Sequence, residues 1–125
     1  MITEGYFAKL KDYPEDELHL CVSRKYPFFV SKDKMSWDAD LSPSPYILES
    51  YKAGNWDWEK YVRRFKLELR INHVKMAALA RLCLADQEGE TIRLLCYERG
   101  DDRRCHRFVL LDMLRCLGAN VQSCT

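Results

Sequence analysis

Long apolar runs are missing from this chain of 125 residues. No stretch approaches the roughly 20 apolar residues that a membrane span needs. Met1-Ile-Thr-Glu-Gly5 also lacks the basic start and apolar centre of a secretory leader, so neither a spanning helix nor export is expected. Excess charge of one sign is missing too. Lys and Arg number 20 against 19 Asp and Glu, which leaves no global field to draw in nucleic acid or an anionic lipid surface and confines such attraction to a local patch. There are no internal repeats and no low-complexity segment, which excludes a repeat architecture.

What remains is an ordinary globular composition, 47% apolar and 31% charged, which excludes a disordered chain. The length fits one domain over residues 1–125, and such a domain buries roughly two-thirds of its unfolded surface. Six cysteines are present (Cys21, Cys83, Cys96, Cys105, Cys116, Cys124). Four of them sit inside apolar strand or helix patterns, and they read as small buried hydrophobes in a reducing, cytoplasmic compartment.

Glu17-Leu-His-Leu-Cys-Val-Ser23 predicts a buried strand ending at Arg24. Residues 27–54 hold three of the four prolines and no strong period apart from a strand candidate at Phe28-Phe-Val30, so they read as a long connection of the kind that forms lids or binding loops. Asp57 predicts an N-cap for a helix carrying Trp58, Tyr61, Val62, Phe65 and Leu69 on one face. A second helix is predicted from about Asn72 to Asp86, with Val74, Ala77, Ala78, Leu82 and Ala85 inward, and Gln87-Glu-Gly89 stops it. A strand from Thr91 to Tyr97, a helix from Arg104 to Leu117 closed by Gly118, and a short last strand at Asn120-Val-Gln-Ser123 follow. Strands alternating with helices imply parallel pairing, so the expected architecture is a small three-layer α/β domain, a mostly parallel sheet flanked by helices.

The reactive side chains concentrate near the C-terminus. The strand delivers Cys96 and Glu98 to the polar loop Arg99-Gly-Asp-Asp-Arg-Arg104, and the next helix opens with Cys105, His106 and Arg107. Ligands in open α/β sheets sit outside the carboxyl ends of the strands, which makes this the candidate site.

Cys96-Tyr-Glu98, Asp101 or Asp102, and Cys105-His106-Arg107 together resemble the C-terminal signature of the domain of unknown function 488 family, its YeaO-like branch included. Upstream, Ser23-Arg24 before Pro27, Leu41-Ser-Pro-Ser44, and Tyr51-Lys-Ala-Gly54 before Asp57-Trp-Glu-Lys-Tyr61 extend the similarity over most of the chain. Where YeaO-like members tend to carry Trp-Pro-Arg-Gly, this chain has Tyr26-Pro27-Phe28-Phe29. The resemblance implies an α/β fold and brings no established reaction.

Several chemistries suit the constellation. Cys105 near a helix start, with Arg103, Arg104, His106 and Arg107 around it, favours a reactive thiolate, whereas Glu98, Asp101 and Asp102 oppose one. An anion cradle of the rhodanese or phosphatase kind needs small residues and no carboxylate inside, and this loop, counted from Glu98, has one Gly and three acids. A metal held by Cys96, Glu98, Cys105 and His106 suits zinc in ligand type, but adjacent Cys105 and His106 point in different directions on a helix, and no metal ligand is assigned. The charge accounting favours an ion-pair hub in which Glu98 ties Arg24 or Arg107.

The candidate catalytic residues are therefore Cys96, Glu98, Cys105 and His106, and the candidate ligand-binding residues are Arg24, Arg103 and Arg107. The expected function is binding of, or catalysis on, a small anionic or nucleotide-like ligand at the end of strand 91–97 and the start of helix 104–117, with the cofactor and the oligomeric state left open. The alternative is a non-catalytic module that presents the aromatic and basic segment 25–58 to nucleic acid or protein. His19 and His73 have no catalytic partner in sequence and read as structural or surface histidines.

Overall fold

The strand Ile92–Cys96 is buried at every position because it has a neighbour on both sides and cover on both faces. In the computed structural model, which describes residues 1–99 and 102–122, it is the last of four strands: β1 (Ile2–Tyr6), β2 (Leu18–Cys21), β3 (Ser36–Trp37) and β4 (Ile92–Cys96). All pair in parallel, in the order β1-β4-β2-β3. The register sets Tyr6 opposite Cys96 and Cys21 opposite Leu95, so three chains leave the sheet side by side at its carboxyl edge.

Alternation along the strands divides the core. Ile2, Leu20, Ile92, Leu94 and Cys96 face four helices, α1 (Pro45–Lys52), α2 (Trp58–Ile71), α3 (His73–Gln87) and α4 (His106–Cys116). Cys21 and Leu95 face the other way, onto Phe7, Met35, Leu10, Tyr13, Tyr26 and Val30. The domain is thus the expected small α/β fold, with the α-helices on one face of the sheet and a 3-10 turn (Phe7–Asp12) with the 26–35 loop on the other.

Local chemistry explains the helices. The Asp57 carboxylate accepts the Lys60 N–H at 2.8 Å and starts α2, whose inner face of Tyr61, Phe65 and Leu69 is buried. Each such side chain contributes about 1.5–3 kcal/mol on burial. Asn72 closes α2 by donating its N–H to the Glu68 carbonyl, and opens α3 by accepting from Val74 and Lys75 with its side chain. Its extended backbone (φ −89, ψ 114) makes the bend. Gly118 follows α4 with φ 94, the left-handed conformation that favours glycine after a helix.

Four expectations need correction. Phe28 and Phe29 form a turn rather than a strand, since Pro27 donates no ladder N–H. The 27–54 connection contains β3 and α1, the latter with Pro45 in its first turn. On α3 the buried residues are Ala78, Leu79 and Leu82, while Val74 is 57% exposed. The last strand reduces to a parallel bridge between Val121 and Ile2, and Ser123 lies outside the described residues, as do Asp101 and Cys124. Among the described residues no helix is long and apolar enough to cross a membrane.

Candidate functional site

Cys96 ends β4, and its side chain falls on the helix side of the sheet, where it is 3% exposed. The chain turns outward at Tyr97 and returns at Cys105, which is the N-cap of α4 rather than a helical residue. Its backbone is extended (φ −132, ψ 144) and its side chain caps nothing. That conformation answers the objection from helix geometry, because Cys105 and His106 are not splayed by a helical step. Cys96, Cys105 and His106 all present their ligating atoms within 4.8 Å of one another.

Glu98 and His106 complete the cluster. One oxygen of the Glu98 carboxylate, Oε2, accepts from both thiols, at 3.2 Å from Cys96 Sγ and 3.4 Å from Cys105 Sγ. His106 Nε2 lies 2.7 Å from the carbonyl of Val22, just beyond β2. A carbonyl only accepts, so Nε2 donates to it, and Nδ1 lies 3.7 Å from Cys96 Sγ. Phe65 sets its ring across the imidazole, centroids 6.1 Å apart.

These contacts set the ionisation. Burial pushes the Glu98 carboxyl up, but the Cys96 thiol, the residue's own N–H, the Cys105 thiol and His106 outweigh it and hold the group below the ordinary carboxylate range. The Cys105 thiol is raised well above its usual range, first by hydrogen bonding with Cys96 and then by burial, with His106 offsetting only part of this. Burial, and then the nearby thiols and Glu98, likewise raise the Tyr61 phenol. Burial and the neighbouring thiol thus favour the neutral form of Cys105 over a thiolate.

The ion-pair hub exists with a different acid. Arg107 is fully buried and donates from Nε to Glu4 Oε1 on β1 at 3.0 Å. It reaches the backbone carbonyls of Glu98 (2.6 Å) and Arg99 (2.9 Å), not the Glu98 carboxylate. Arg107 is thus a positioning residue that pins the start of the loop and has no face for a ligand. Arg103 is exposed, in the left-handed region (φ 60), with its guanidinium 4.8 Å from the Phe108 ring. Asp102 accepts the N–H of Arg104 at 3.1 Å and shapes the turn.

Above the cluster opens a cleft of about 360 Å³, lined by Cys96, Tyr97, Glu98 and His106 on one side and by Ser23, Arg24, Lys25, Glu49 and Lys52 on the other. Arg24, Lys25 and Lys52 are exposed, and their side chains form no ion pair or hydrogen bond among the described residues. A larger hollow of about 680 Å³ lies on the opposite face of the sheet, against Phe7, Tyr13, His19 and Phe29, and it holds no cysteine. Sequence reasoning missed Glu4, Lys52 and Tyr61 as parts of the site. Tyr61 was legible only as a core position, and nothing near Glu4 or Lys52 in sequence points to residues about a hundred or fifty positions away.

In the aromatic segment Trp56 and Trp58 pack against the core, whereas Phe28, Phe29, Trp37 and Tyr46 are exposed. Trp58 stacks on Tyr61 at 4.9 Å, and Trp56 is buried against Tyr46 with Lys60 and Arg64 over its ring. Trp37 is exposed on one side, and its indole N–H donates to the Ser23 carbonyl.

No curated protein and no solved structure matches the chain. A family model described as the active DUF488-N3 subclade matches residues 6–118, a span that includes the whole Cys-x-Glu and Cys-His-Arg cluster and every cation of the cleft. The chain belongs to the domain of unknown function 488 family.

Proposed function

We propose that this chain is a small cytoplasmic ligand-binding or catalytic domain that takes an anionic, nucleotide-like ligand in the cleft at the carboxyl ends of β2 and β4. One observation carries the reading: three cations without partners among the described residues, Arg24, Lys25 and Lys52, face Cys96, Glu98 and His106 across an open cleft. Unpaired cations on a concave surface attract anions, and the low-dielectric floor strengthens that attraction. Tyr97 also lines the cleft, its ring packed edge-on against Phe7 and Phe29. The subclade's description as active fits a place where thiols, imidazole and carboxylate meet a ligand, and the free described cysteines suit a reducing compartment.

Calorimetric titration with inorganic phosphate and a series of nucleoside mono- and diphosphates tests this. Wild-type protein binds at least one of them saturably, and Arg24→Ala or Lys52→Ala weakens binding about tenfold or more, the equivalent of one charge-assisted hydrogen bond at ~1.5–3 kcal/mol. Unchanged affinity in both variants, or binding only to long single-stranded nucleic acid with a steep salt dependence, rejects the cleft in favour of the 25–58 surface.

A further inference from the structure

We propose that Cys96, Cys105 and His106 form a binding site for a single zinc-class divalent ion, with the Glu98 carboxylate as its fourth, exchangeable ligand. The site stands on its own geometry, whatever ligand the cleft above it takes.

The ligand atoms of Cys96, Cys105 and His106 lie within 4.8 Å of one another, close enough for one ion to gather them. With Zn–S near 2.3 Å and Zn–N or Zn–O near 2.0–2.1 Å, neighbouring ligand atoms lie about 3.5–3.8 Å apart. Cys96 Sγ and His106 Nδ1 are 3.7 Å apart, and Glu98 Oε2 lies 3.2 Å and 3.4 Å from the two sulfurs. All three side chains of the core set are buried, and an ion that binds them draws the most distant pair together by no more than about 1 Å.

The outer contacts match those of a metal centre. The imidazole donates Nε2–H to the Val22 carbonyl, which fixes the tautomer with Nδ1 free to coordinate and holds the ring in place, as ligating histidines require. Arg107 holds the backbone of Glu98 through its carbonyl, so the carboxylate arm is anchored at its base while its side chain stays accessible from the cleft. Two thiols, one imidazole and one carboxylate form a borderline-soft donor set that favours zinc over magnesium or calcium.

Binding is ligand exchange without redox change. The aqua ion loses water, each thiol releases its proton to solvent as a Zn–S bond forms, and Nδ1 donates its lone pair. Two thiolates and a carboxylate on a dication leave one net negative charge, set beside the buried Arg107 and the cations of the cleft rim. A fourth ligand that is a carboxylate open to a cleft, rather than a third or fourth cysteine, leaves a position that water or an incoming anion can take.

The test uses the full chain, purified under reducing conditions, stripped with a chelator and titrated with Co²⁺ and Zn²⁺. Wild-type protein takes up one Co²⁺ per chain, with the visible bands of a tetrahedral thiolate complex, Zn²⁺ displaces it stoichiometrically, and zinc raises the melting temperature. Cys105→Ser and His106→Ala lose the stoichiometric ion. Cys116→Ser, an exposed cysteine elsewhere, retains it. Glu98→Gln retains the ion but alters the cobalt spectrum. Because a ligand variant that misfolds also loses the ion, the wild-type zinc stoichiometry and melting shift are decisive on their own. Wild-type protein that binds no ion above the level of Cys105→Ser, or that forms a Cys96–Cys105 disulfide on mild oxidation while ignoring zinc in its reduced form, overturns the proposal.

Discussion

Replacing Glu4 by glutamine removes the carboxylate that faces Arg107 while keeping nearly the same shape. The side chains of the pair are 6% and 0% exposed, and the contact is 3.0 Å. Stripping one partner from a buried pair costs about 3–5 kcal/mol, because the remaining charge stays buried without compensation. Arg107 keeps its two bonds to the carbonyls of Glu98 and Arg99, so the loss belongs at the lower end, about 3 kcal/mol. For a domain of this size, with about 2.1 cal/mol/K of unfolding entropy per residue, that lowers the melting temperature by about 11 °C. The control is Glu90→Gln, an exposed position, which should shift melting by no more than about 0.5 kcal/mol. Thermal and urea melts of both variants, together with Arg107→Met and the double variant, give the coupling energy of the pair. The double variant should recover part of the loss, since no charge is then left unpaired. Equal melting of Glu4→Gln and Glu90→Gln, or additive losses in the cycle, would refute the assignment of Arg107 to Glu4.

Four further outcomes follow from the same contacts. Gly5→Ala should destabilise by about 1–3 kcal/mol, because an added Cβ meets the Tyr13 ring at 2.5 Å and that ring is held by the Tyr6 N–H and by Arg93; urea melts read this directly. Phe65→Ala opens a cavity at a fully buried residue packed on His106 and should cost about 3–5 kcal/mol. In metal-free, reduced protein, alkylation with iodoacetamide should label exposed Cys116 long before buried Cys96 and Cys105, and mass spectrometry showing Cys105 first would restore the nucleophile reading. Acid titration of stability reports Asp86, whose carboxyl is held below its ordinary value of 3.8 by the N-terminal ammonium and then by the Asn120 N–H. A carboxyl depressed by folding adds stability that is complete above its unfolded value and is lost as pH falls below it, so Asp86→Asn should flatten the stability curve below about pH 4 and leave its shape unchanged near neutrality.

Much of the frame was legible because it rests on local signals. Asp57 and Asn72 cap the helices they were expected to start, Gly118 ends α4, and the apolar run of β4 reads as a central strand. What stayed hidden depends on partners distant in the chain. β1 contains Thr3, Glu4 and Gly5, which look unlike a buried strand, yet all are buried because Arg107, about a hundred residues away, neutralises Glu4. β3 has two paired residues, too few for periodicity to register. On α3 Ala78 and Leu82 turn inward as expected, whereas the first turn at Val74 extends past the core and Leu79 fills it instead. At the site, residue types were readable and their roles were not. Glu98 looked like the natural partner of an arginine, whereas the buried arginine takes a carboxylate from β1 and leaves Glu98 to the thiols. Cys105 and His106 looked divergent because a helical step was assumed between them, and the extended N-cap conformation removes that step.

The central claim is that ligand recognition occurs at the carboxyl ends of β2 and β4, over the Cys96, Glu98, Cys105 and His106 cluster. Amide chemical-shift mapping of the labelled chain during titration with a nucleoside monophosphate tests it most directly. Saturable shifts confined to Ser23–Lys25, the end of α1, Tyr97–Glu98 and His106 are the predicted result. Shifts centred on Phe28–Trp37 or on the opposite hollow around Tyr13 and His19, or no saturable shift with any phosphate ligand, would contradict it.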